Sequence, residues 1–181
     1  MPRYVAFLRA INVSGRFIKM EALAGHFREL GCQEVSTFLN SGNVVFRSPR
    51  PSVALAHFLE QQLELRLGFK SEVFLRTEAE LRAIVAQVAA HLPGVPAGGE
   101  LNVLLLGSPL TASQIGILSG LGTEMDRLVP GGQEVYWLCQ RLQNQSKLAN
   151  AVFERKLKMK TTLRRGTMLQ TLCLRLSNGP P

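Results

Sequence analysis

The sequence predicts an α+β fold made by tandem duplication. Three observations predict it. First, short apolar, β-branched runs and helical apolar stripes follow the order strand, helix, strand, strand, helix, strand, helix. Second, that order occurs twice, on either side of "HLPGVPAGGE" at residues 91–100, half of which are Pro or Gly. Third, "LAHFLEQQLELRLGFKSEVFLRTEAEL" in the first half runs beside "LANAVFERKLKMKTTLRRGTML" in the second. Both begin Leu-Ala, end a helix on Leu, and pass through Leu-Arg to another Leu five residues beyond the Arg. The second copy is shorter by a turn of helix or more. An internal repeat of about 90 residues follows. A βαββαβ unit folds as a ferredoxin-like split βαβ, with helices over one face of an antiparallel sheet. The expected domains are 1–90 and 101–181, joined by the linker 91–100.

Each element has its own signal. Tyr4 to Val13, "YVAFLRAINV", reads as the first strand, and Ser14-Gly15 ends it. Met20, Leu23, Phe27 and Leu30 lie at helical spacing, and Gly31 is a natural stop. Glu34–Leu39 and Asn43–Arg47 are strands around the hairpin turn Asn40-Ser41-Gly42, with Gly42 free to take positive φ. Ser48-Pro49-Arg50-Pro51 breaks the chain. Val53–Leu67 is helical, with Leu55, Phe58, Leu59, Leu63 and Leu67 on one stripe, and Gly68 stops it. Ser71–Leu75 is a strand and Glu78–Ala90 a helix. After the linker, Leu101–Leu106 is a strand and Thr111 caps a helix through Leu121. Arg127–Val129 and Glu134–Cys139 are strands around "PGGQ". Ser146 is expected to cap a helix Lys147–Leu157, followed by the strand Thr161–Arg164 and a helix Thr167–Leu176.

With 181 residues, 46% of them hydrophobic, the chain is long enough for a buried core. No apolar run approaches the roughly 20 residues of a membrane span, so no membrane partner is expected. "MPRYVAFLRAIN" reads as a strand, not a signal peptide. Cys32, Cys139 and Cys173 are far apart and odd in number, which fits free thiols in a reducing cytoplasm. His26, His57 and His91 are isolated, and no metal or cofactor is expected. No phosphate-loop glycine pattern, catalytic triad or carboxylate pair appears, and Asp126 is the only Asp.

Charge is informative by position. Residues 1–140 hold 12 Lys plus Arg and 12 Asp plus Glu, whereas residues 141–181 hold nine basic residues and the single acid Glu154. The whole excess of +8 thus lies at the C-terminal end, which favours an anionic partner, nucleic acid or a phosphorylated ligand. On the expected helix from Ser146, Lys147, Arg155 and Lys158 would project within roughly 80° of one another, with Arg164 and Arg165 following on the next strand.

"YVAFLRAINVSG", "TFLNSGNVVFRS" and "QSKLANAVFERKL" resemble the three signature stretches of the bacterial DUF1697 proteins, over nearly the whole chain. The resemblance implies an α/β duplication and no assigned chemistry. The family's motif residues fall on Arg9, Asn12 and Gly15, on Ser41, Gly42 and Asn43, and on Ser146, Lys147 and Leu148. The chain departs from the family pattern at Arg9-Ala10, usually Arg-Gly. It departs again at Leu163-Arg164-Arg165-Gly166-Thr167, usually Thr-Arg-Asn-Trp-Asn.

Two functions are consistent with these observations. One is a cytoplasmic module binding an anionic partner through Lys147, Arg155, Lys158, Arg164 and Arg165. The other is a small-molecule-binding protein or enzyme, its polar pocket gathering Arg9, Asn12, Ser41 and Asn43 where the first and third strands meet at one edge.

Overall fold

The computed structural model describes residues 1–178. Two compact units divide the chain, Met1–Leu81 and the residues from Arg82 onward. In the first, β1 (Arg3–Leu8), α1 (Met20–Glu29), β2 (Gln33–Phe38), β3 (Asn43–Arg47), α2 (Ser52–Leu67) and β4 (Val73–Thr77) lead into α3 (Glu78–His91). The second repeats the order with β5 (Glu100–Leu106), α4 (Ala112–Leu121), β6 (Asp126–Pro130), β7 (Glu134–Cys139), α5 (Asn150–Leu157), β8 (Thr161–Arg165) and α6 (Gly166–Ser177). The sheets have matching strand orders, β2-β3-β1-β4 and β6-β7-β5-β8, with every pairing antiparallel. The fold class expected from the sequence is therefore present as two similar βαββαβ units.

Each unit has its own core. Tyr4, Ala6, Leu8, Val44 and Phe46 meet Leu23, Phe27, Leu55, Leu59 and Leu63 from α1 and α2. Leu104, Leu106, Val135 and Trp137 meet Leu118, Phe153 and Leu157 from α4 and α5. The other face of the central strands, including Val5, Phe7, Val103 and Leu105, is buried too. Burial on both faces explains why "YVAFL" and "VYWLC" are continuous apolar runs without alternation. The edge strand β2 is more exposed, and its register shifts between Gln33 and Ser36, where Glu34 has φ +49°. Such an irregularity discourages edge-to-edge pairing.

The Leu-Arg match of the two halves has a physical meaning. Arg76 and Arg164 occupy the same place on β4 and β8, and both are buried. Each turns a guanidinium nitrogen back onto the preceding carbonyl, Leu75 O or Leu163 O, at 2.8 Å.

Three expectations are corrected. The first strand ends at Leu8, not Val13, because residues 10–15 leave the extended region. The helix expected from Lys147 begins only at Asn150. Ser146 does not cap it: its hydroxyl is bonded to Asp126 Oδ2 and to the Leu148 amide, which holds the segment extended. Lastly, Arg164 is 9% exposed and does not join a surface, because strand alternation turns it inward with Thr162.

Candidate functional site

The two units share an architecture but differ in their connections. The β1–α1 connection spans 9–19, eleven residues, whereas its counterpart β5–α4 spans 107–111, five residues. The longer loop also carries unusual backbone. Ala10, Asn12 and Ser14 have φ of +57°, +56° and +51°, and no residue of 107–111 has positive φ. Leu39, at the hairpin next to this loop, has φ +58°. Four of the six non-Gly residues with positive φ among the described residues thus lie at one end of the first unit. Each left-handed non-Gly residue costs on the order of 1–2 kcal/mol, least for Asn.

Asn12 holds this end together. Its Nδ2 donates to Asn40 O at 2.8 Å, and its Oδ1 accepts from the Ile18 amide at 2.8 Å. One side chain therefore ties the start of the loop, the approach to α1 and the hairpin turn. The turn is fixed a second way. Gly42 has φ +73°, and a Cβ there would lie 2.9 Å from Ile11 Cβ. Only glycine lets the hairpin pack on the loop while its carbonyl takes the Leu8 amide at 2.8 Å.

Between these parts lies an open hollow of about 710 Å³, lined by Asn12, Phe17, Ile18, Lys19, Met20 and Asn40. Lys19 is the residue before α1, extended at φ −65° and ψ 139°, and no side chain caps the helix. Its ammonium has no ion-pair partner among the described residues. Phe17 is 75% exposed.

The residues predicted for this pocket are brought to the same end, but most do not point into the hollow. Asn43 is fully buried and donates to Phe38 O at 2.8 Å and Ser41 Oγ at 2.9 Å, closing the hairpin from inside. Arg9 lies 3.4 Å from Glu72, and its carbonyl accepts from Ser71 Oγ at 2.7 Å. Of Arg9, Asn12, Ser41 and Asn43, only Asn12 lines the hollow. Phe17, Ile18 and Lys19 fell in the expected connection between the first strand and the helix from Met20, and nothing in their residue types singled them out. The signal that could have found them was the unequal length of the two first connections.

In the second unit the elaborated connection is a different one. Ten residues, 140–149, join β7 to α5, where β3–α2 needs four. This loop is organised by Asp126, which is 2% exposed. Its carboxylate accepts from Thr123 Oγ1 at 2.9 Å, Trp137 Nε1 at 3.0 Å and Ser146 Oγ at 3.0 Å, with Arg141 at 3.9 Å. Ser146 is thus a structural link, and Lys147 projects outward.

The predicted basic face is only partly assembled. Arg155 lies in α5, Lys147 precedes it, and Lys158 follows as a left-handed C-cap at φ +54°. Arg165 is 3.0 Å from Glu100. Lys147, Arg155, Lys156 and Lys158 stay exposed with no ion pair among the described residues. Glu154, the one acid of the region, turns inward: its Oε1 accepts from Thr161 N at 3.0 Å and Asn150 Nδ2 at 3.3 Å.

Comparison with known proteins fits this picture. A family model described as a protein of unknown function, DUF1697, matches residues 1–136. The chain belongs to the DUF1697 family. The matched stretch includes the whole hollow of this DUF1697 protein. A solved structure, that of the conserved bacterial protein SP0830 from Streptococcus pneumoniae, is 23% identical with a TM-score of 0.71. The similarity covers 98% of this chain and 99% of that one, which establishes a shared fold. No curated protein matches the chain. Among the described residues, no group of three or more His, Cys, Asp or Glu could hold a metal ion, and no helix is long and apolar enough to cross a membrane.

Proposed function

We propose that this chain is a small-molecule-binding protein whose site is the hollow between the 9–19 loop, the start of α1 and the hairpin turn. The observation that carries the reading is the strained loop, which the second unit builds without strain and six residues shorter. Backbone strain persists only where surrounding structure over-determines it, and it concentrates at binding sites. Here Asn12 and Gly42 over-determine it. The hollow also falls within the roughly 300–1,000 Å³ of typical ligand sites. Its lining offers one titratable side chain, Lys19, and no nucleophile–base pair, so the reading is of binding and not catalysis. The test is amide chemical-shift mapping with a mixed library of small organic fragments. Hits should cluster on Asn12, Phe17–Met20 and Asn40. Hits clustered elsewhere, or none, would refute the site.

A second reading rests on Lys147, Arg155, Lys156 and Lys158, exposed and unpaired around α5 while Glu154 is engaged inward. These cations suit a polyanion, nucleic acid foremost. About four phosphate contacts predict a log–log salt slope near −3. Fluorescence anisotropy with oligonucleotides over a salt series measures it. Binding unchanged in a Lys156→Glu, Lys158→Glu double variant would return these residues to a solvated surface.

A further inference from the structure

We propose that the ligand of the hollow is a small organic carboxylate, its head on Lys19 and a short apolar body against Phe17, Ile18 and Met20. This deepens the binding reading above and rests on it. The hollow divides into two chemical parts. Its walls are apolar, and Phe17 is left standing in water, the state that a ligand's apolar body would relieve. Part of its polar lining is spent: both polar atoms of the Asn12 amide are bonded within the protein and Asn40 O accepts from it, while the exposed Asn40 side-chain amide is left to donate. The ammonium of Lys19 remains as the one charged group of the lining.

The surroundings favour an anion there and set its charge. Glu21 is the acid nearest in sequence, and its carboxylate is held by Arg28 at 2.7 Å. Arg16 lies over the Phe69 ring, 5.4 Å from its centre, and is not part of the lining. A single ammonium without an arginine fork matches a monoanion. Phosphate, doubly charged near neutral pH, is usually gripped by arginine pairs or by several convergent donors. With one ammonium and the Asn40 amide as its side-chain donors, and no arginine, the lining suits a carboxylate better than a phosphate.

The experiment uses 4-phenylbutyrate and its uncharged amide, 4-phenylbutyramide, which share one apolar body. Each is titrated against the ¹⁵N-labelled full chain at matched ionic strength, with inorganic phosphate as a third probe. The expected result is saturable shifts at Phe17–Met20 and Asn40, with the acid about threefold tighter than the amide, a difference of about 0.6 kcal/mol, as for an exposed ion pair. Lys19→Met should remove the preference, so that acid and amide bind the variant equally. Its position is exposed, and the spectrum itself reports whether the fold is kept. Phe17→Ser should weaken acid and amide alike. Equal binding of acid and amide to the wild type would overturn the carboxylate inference and leave the hollow as a binding site. Phosphate binding tighter than the acid would overturn it in the same way. An acid preference that survives Lys19→Met would overturn the assignment of the head to Lys19. No shifts at these amides with any probe would remove both the inference and the reading beneath it.

Discussion

Replacing Asn12 tests whether one side chain holds the strained end of the first unit. Asn12→Ala removes two hydrogen bonds of 2.8 Å, each worth about 1 kcal/mol net. It also places a residue with no local polar compensation at φ +56°, which adds about 1 kcal/mol. The expected loss is about 3 kcal/mol. Asn12→Gly loses the same two bonds but relaxes the backbone, so its expected loss is smaller, about 2 kcal/mol. The difference between the variants isolates the strain. The only Trp lies in the second unit, so its fluorescence does not report on this loop. The assay is instead native-state amide exchange at Leu8, bonded to Gly42 O, and at Ile18, whose acceptor is Asn12. Urea unfolding followed by far-UV circular dichroism accompanies it. If both variants fall within about 0.5 kcal/mol of wild type, or if the Gly variant is the less stable, the loop is not organised as argued.

Asp126→Ala strands the Trp137 N–H and Arg141 against a buried site and should cost about 3 kcal/mol, whereas Ser146→Ala should cost about 1 kcal/mol. The lone tryptophan then serves as the probe in urea unfolding, and losses below about 0.5 kcal/mol for Asp126→Ala would refute the role given to it. Burial pushes the Cys32 thiol up to about 11 and the Cys139 thiol to about 12, from 9.0. The folded chain therefore holds these protons more tightly than the unfolded chain does. The stability they contribute is whole below pH 9 and is lost as pH rises towards 11–12. Replacing both by Ala should flatten that alkaline decline in a thermal-unfolding series, and an unchanged decline would show that other groups cause it.

The architecture was legible because both of its signals are periodic. Apolar runs mark strands buried on two faces, stripes at Leu55, Leu59 and Leu63 mark a helix over a core, and the Leu-Arg match marks the duplication. The site was legible only in part. Asn12 and Asn43 pointed to the end of the first unit where the proposed hollow lies, but sequence could not say that Asn43 turns inward. A buried amide that closes a hairpin and an exposed one that meets a ligand have the same letters. The basic face was misjudged for a related reason. A helical angle was assigned to Lys147 and Lys158, yet one precedes the helix and the other caps it in the left-handed region. A hydrogen bond from Ser146 to the distant Asp126 decided that boundary, and no local propensity encodes it.

The duplication makes the second unit an internal control for the first. Both units reach the same strand order with short connections in most places, so neither long loop is required by the fold. The two loops are also anchored by unlike means. Asp126 is a buried carboxylate that gathers three donors, and it pulls the 140–149 loop inward until no polar group on that carboxylate is left to a ligand. Asn12 is a neutral amide at the surface. It ties its loop at two points, and the chain between them, Val13 to Phe17, stays exposed beside an open hollow. A loop tied by Asn12 and closed on itself by the Asn12 N–Arg16 O and Arg16 N–Val13 O bonds keeps its shape beside the hollow without filling it. That is the arrangement a preorganised binding site needs, because the ordering entropy has been met before a ligand arrives.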